Sequence, residues 1–157
     1  MTTPLITARL ITTRLISIRL EKVVHEDTVM DRKFVFTGLI YAVIGMSLGI
    51  FMAASHNHEQ LVTHAHIMLA GFVVSFIYAL CHKLWLGGAI NTLKKVQFYV
   101  HQIGIAVLFL GLFLLYGGFI PMETIDPVLA LASFFVLAGM IMMLILFIKS
   151  DEARQRA

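Results

Sequence analysis

Leu61-Val62-Thr63-His64-Ala65-His66-Ile67-Met68-Leu69-Ala70-Gly71-Phe72-Val73-Val74-Ser75-Phe76-Ile77-Tyr78-Ala79-Leu80 is a run of twenty residues without a fixed charge. As a helix it is long enough to cross a bilayer core of about 30 Å, and it opens with two imidazoles. Histidines inside membrane spans are rare and usually functional, and neutral imidazole is the commonest protein ligand for iron, copper and zinc. Residues two apart on a helix are separated by about 200°. His64 and His66 therefore face nearly opposite sides, one towards its own helices and one towards a neighbour, and they cannot clasp one metal together.

Working outward, three further runs match the first in length: residues 34–54, 96–116 and 127–148, with the quoted run as 61–80. Of the 157 residues 59% are hydrophobic and 13% charged, against roughly 25% charged in soluble domains. The fold class that follows is all-α: an integral membrane four-helix bundle over residues 31–157, up-down-up-down, with no room for a soluble domain. Its first partner is the lipid bilayer, and nothing points to nucleic acid. Asp126 reads as the cap of the fourth helix with Pro127 in its first turn. Gly45 and Gly49 form a small-xxx-small pair, and Gly104 and Gly111 lie on one side of the third run; such glycines let helices approach closely. The single cysteine, Cys81, forbids an intramolecular disulfide.

The charges orient the spans. Arg32 and Lys33 precede the first, Lys83, Lys94 and Lys95 separate the second from the third, and Lys149, Arg154 and Arg156 follow the fourth, while residues 55–60 and 117–126 hold no lysine or arginine. The positive-inside rule then makes both termini and the central connection cytoplasmic, in a multi-pass protein of a bacterial inner membrane. The segment 1–30 stands apart. Arg9, Arg14 and Arg19 recur every five residues, which scatters them about the helix circumference and makes no amphipathic face. It reads as a disordered extension or, preferably, as upstream of a true start at Met30.

His56 and His58 extend the pattern to His-x-His-x5-His-x-His, which is either a copper or zinc site or a polar loop in water. His101, taken as five residues into the third run, would differ from the His64 level by roughly 15 to 20 Å, so one small metal cannot join them. Gln102 beside it suggests an interhelical hydrogen bond. His82, next to Lys83, reads as a solvated interfacial residue, and a second cofactor held by His82 and His101 is the alternative.

The segment His64-Ala65-His66-Ile67-Met68-Leu69-Ala70-Gly71-Phe72 resembles the second-helix His-Gly-x-x-Met pattern of haem-copper oxidase subunit I, whose histidine is a low-spin haem ligand. It is also similar to the His-x-His of that family's tenth helix, where one histidine serves each haem. NnrS-type membrane haem proteins carry similar segments. The likeness covers ten to fifteen residues, the span count and the N-inside topology. It implies a single four-helix repeat of a threefold pseudo-symmetric subunit. Ala65 stands where the motif has glycine, the family has twelve spans, and its sixth-helix His-Pro-Glu-Val-Tyr copper segment is missing here, so an oxygen-reducing centre and an enzyme are not expected. No outer arginine pair exists for haem propionates, leaving Asn57, Gln60 and Thr63 as neutral donors.

The expectation is thus a cytochrome b-like protein holding haem b through His64 and His66, with Met68, His56 or His58 as other ligands. It would serve electron transfer with a redox partner protein or sensing of a diatomic gas such as NO or O2. Because one helix cannot present both imidazoles to one iron, a head-to-tail ring of chains completes the site, and the resemblance to a threefold pseudo-symmetric subunit implies three members. A copper or zinc binding membrane protein, and a cofactor-free accessory subunit of a respiratory complex, are the alternatives.

Overall fold

A computed structural model describes the backbone of residues 3–86 and 92–155 and the side chains of 13–18, 30–86 and 92–150. The described residues form helices joined by short turns, with no strand among them. Helix α1 is Thr3–Ser55; the second apolar run is α2 (Leu61–His66), a π-helical segment (Ile67–Val73) and α3 (Val74–Leu84); α4 is Thr92–Tyr116 and α5 is Met122–Gln155. Among the described residues four stretches are long and apolar enough to span a bilayer: Met30–Ser55, Leu61–Leu84, Thr92–Tyr116 and Met122–Ser150. Buried residues make up only 22% to 44% of their most apolar windows. The rest is apolar surface such as Phe36, Val43, Ile50, Leu110, Leu131 and Phe134, far more than a protein in water exposes in contiguous patches. Lipid is the solvent that fits it.

The helix bounds correct several sequence expectations. The α1 backbone runs on into the segment that the sequence sets apart as 1–30, reaching back to Thr3; the side chains of residues 1–12 and 19–29 lie outside those described. The third span begins at Thr92 rather than at residue 96, and the fourth at Met122 rather than at Pro127. Asp126 is therefore no cap. Pro121 breaks the chain instead, and its carbonyl accepts the amides of Thr124 (3.1 Å) and Ile125 (3.3 Å). Pro127 falls just past the first turn of α5, where its missing N–H leaves only the carbonyl of exposed Glu123 without a helical donor.

Packing follows the small residues. A Cβ on Gly104 would lie 2.9 Å from Phe135 Cβ and 3.0 Å from the Val136 amide nitrogen, and one on Gly111 would lie 2.7 Å from Leu129 Cδ2, so α4 and α5 touch backbone to side chain along one flank. On α1, Gly45 and Gly49 meet Met68 and His64 in the same way. Three apolar clusters result. One joins Met30, Phe34, Tyr78, Phe98 and Met143 at the end near Lys83; another joins Leu108, Leu112, Ile125 and Leu129 at the opposite end of α4; a small one, Tyr41, Ile67 and Ile105, lies between them. Polar ties lock the ends together. Gln60 Nε2 donates to the Phe113 carbonyl at 3.0 Å while its Oε1 accepts from Thr63 Oγ1 at 2.7 Å. The start of α2 is thereby pinned beside the end of α4.

Candidate functional site

The two imidazoles of the second span diverge as the 200° offset requires. His64 is half-buried against α1, its Nδ1 2.8 Å from the Gly45 carbonyl. Its ring lies over Gly49, where a Cβ would come within 3.0 Å of Cε1. His66 is exposed on the other side, with Nδ1 2.8 Å from the carbonyl of Val62 one turn back. A carbonyl only accepts, so in both rings Nδ1 carries the proton. The neutral tautomer then presents a lone pair on Nε2, and that is the form in which histidine binds metals, with the other ring nitrogen held by a carbonyl.

Other expected site residues are placed less favourably. Met68 sits one turn beyond His64 in the same contact with α1, its sulfur over Gly45, where a Cβ would be 2.6 Å away. His56 and His58 are exposed. His56 ends α1 in a left-handed conformation, φ 55°, and the loop is shaped by Asn57, which accepts the Glu59 amide at 2.8 Å and donates to its carboxylate at 3.2 Å. Gln60 and Thr63, expected as donors to a haem edge, are buried and spent on each other and on Phe113. Among the described residues no group of three or more His, Cys, Asp or Glu side chains could hold a metal ion.

His101 and His82 depart most from expectation. His101 is wholly buried, with Tyr78 edge-on at a centroid distance of 4.8 Å and Gly139 of α5 close behind it, where a Cβ would be 3.0 Å from His101 Cβ. Its imidazole faces the carbonyl of Ala70, six residues beyond His64. The depth difference is therefore about 9 Å, not 15 to 20 Å, because α4 begins at Thr92 and His101 lies well inside it. Ala70 belongs to the π segment. There Val74 N–H pairs with the Leu69 carbonyl and so takes the α-helical donor away from Ala70; π turns of this kind recur at functional sites. His82 does not lie at the surface. It is buried and stacked on Phe34 at 5.4 Å, because the α1 helix covers it. The interhelical hydrogen bond expected of His101 is made instead by its neighbour Gln102, from Nε2 to Ser75 Oγ at 3.2 Å.

These residues form a polar seam that the sequence reading missed as a unit. Ser75, Tyr78 and His82 recur at intervals of three and four along α3, and Lys94, Gln97 and His101 do so along α4. Such spacing puts each trio on one helix face. The signal was present, but it was hidden among residues read singly. Comparison of the chain with family models, with curated proteins and with solved structures finds no match.

Proposed function

We propose that the chain is a membrane-embedded b-type haem protein that works in electron transfer or in sensing a diatomic gas. The observation that supports this is the matched setting of His64 and His66: each Nδ1 lies 2.8 Å from a backbone carbonyl, so that Nε2 is the ring atom left to meet a metal. Gly45 and Gly49 already touch Met68 and His64, which leaves no room for a porphyrin between α1 and the second span. The iron would therefore be met at the perimeter, His64 and His66 serving different contacts. When bound, haem supplies a one-electron couple and a site for a diatomic ligand. The chain's own part is to hold the imidazole tautomer and exclude water from the ring edge.

Exposed His66, in lipid, is costly unless it meets a partner. A head-to-tail ring in which His66 of one chain and His64 of the next share an iron satisfies both, and three chains give the twelve spans of the resembling subunit. The lysines Lys83, Lys94 and Lys95 support a cytoplasmic seam end, with both termini on the same side, in a bacterial inner membrane. The deciding experiment is a reduced-minus-oxidised spectrum of protein made under haem-replete conditions. A Soret shift that His64→Ala abolishes and His82→Ala leaves intact is the expected result; no haem band at all sinks the reading. Native mass spectrometry should show a trimer with up to three haems, and a monomer that keeps low-spin haem would remove the shared-iron arrangement.

A further inference from the structure

Buried polar atoms are nearly always hydrogen-bonded, and those of the seam are not. Tyr78 Oη, His82 Nε2, Gln97 Oε1, both ring nitrogens of His101 and Gln102 Oε1 are buried without a hydrogen bond of normal geometry, although His82 lies near the Gln97 amide and His101 near the Ala70 carbonyl. Gln97 and His101 are 0% exposed, and Tyr78 and His82 are 4%. Left dry, each such group costs about 1 to 3 kcal/mol, so six on one seam demand occupants that donate and accept at short range. Water is the molecule that does this, with two to four partners at each position. Along α4 the seam from Lys94 to His101 spans seven residues, about 10 Å, a distance that three or four waters bridge at hydrogen-bond spacing.

We propose that this seam is a hydrated proton path leading from the Lys83 and Lys94 end of the molecule to His101 in the middle of the membrane. Its mouth carries Asp31 of α1, 3.6 Å from Lys83, and Lys94, whose Nζ donates to the Leu86 carbonyl at 2.6 Å; Asp31 and Lys94 both act on His82. Beyond it stand His82, Gln97 and Tyr78, with Cys81 beside Tyr78. From α5 the seam meets Gly139, whose carbonyl accepts from Gln97 Nε2 at 3.3 Å. A proton delivered by water to a His101 ring nitrogen leaves one imidazolium and one neutral water, and the reverse step returns it. Ala70 O, freed by the π segment, is the acceptor that the imidazolium faces.

The test uses the full chain in lipid nanodiscs with 15N-labelled histidine. Water cross-peaks at the His82 and His101 ring nitrogens are expected, with exchange of the His101 ring proton within seconds. Gln97→Leu should slow that exchange at least tenfold and leave His64 and His66 unchanged. Gln97→Ser, which makes room for one more water, should keep the original rate. A His101 ring proton that outlasts the neighbouring backbone amides in the unsubstituted chain overturns the proposal, and so does unchanged exchange in Gln97→Leu. The measurement requires no haem, so a chain that binds none leaves it standing.

Discussion

The second span holds imidazoles near both of its ends, and it treats them in opposite ways. Near His56, the rings of His64 and His66 each have one nitrogen bonded to a carbonyl and lie half-buried or exposed. Near Lys83, His82 is buried, and so is His101 across from Tyr78; three of their four ring nitrogens are buried without a hydrogen bond of normal geometry. The same contrast holds for glutamines. Gln60 uses both ends of its amide, whereas Gln97 uses only its nitrogen. The lesson is that burial and satisfaction are separate properties. A satisfied polar group stiffens a contact, while an orphaned one marks a place where something small has to enter.

The strongest way to break this contrast is to fill the floor of the seam. Gly139→Leu puts atoms where the Cα and amide nitrogen of His101 lie 3.2 and 3.4 Å from a bare Cβ. Backbone cannot rotate away, so α4 and α5 must separate, at a cost of about 3 kcal/mol, seen as a lower midpoint in detergent unfolding. A variant as stable as the parent would mean that the two helices are not in this contact.

The glutamines give the next largest effect. Gln60→Leu strands the buried Thr63 hydroxyl, while the Phe113 carbonyl keeps the Gly117 amide, and should lose about 2 kcal/mol. Gln97→Leu sacrifices one long bond but removes an orphaned oxygen, so its change should stay within about 1 kcal/mol. Equal losses in the two variants would erase the distinction drawn between the ends.

Gly49→Ala sharpens the other end. The new methyl lies 3.0 Å from His64 Cε1, so the ring must shift by a few tenths of an ångström and its bond to Gly45 loosens. Haem titration should show affinity lowered by about tenfold, the scale of disturbing a group that orients a metal ligand, with folding stability almost unchanged. The smallest effect is expected for Ser75→Ala, which removes the acceptor of Gln102 Nε2 and should cost about 1 kcal/mol. No change there would mean that water takes the place of Ser75 at Gln102 Nε2 as well.

Four apolar runs, their lysine-free connections and the close approach at Gly45, Gly49, Gly104 and Gly111 were legible directly, because length, charge and side-chain size are local properties. The opposed faces of His64 and His66 were legible as well, since they follow from 100° per residue. Pro127 misled because a proline is tolerated near any helix start, and Pro121, six residues earlier, was the one that set it. His82 misled because its neighbour Lys83 is exposed while Phe34, remote in sequence, covers the imidazole.

What the sequence by itself determined is a chain of four apolar helices whose surfaces only lipid can solvate, with two imidazoles set at one end of the second. What the tertiary structure decided is depth and company. The π segment shifts the register of the second span and frees Ala70 from its α-helical donor, the early start of α4 lifts His101 to that level, and Gly139 lets α5 close behind it. None of these is visible in one dimension, because each depends on how far one helix slides along another, and that is fixed by the sum of many side-chain contacts between residues distant in the chain.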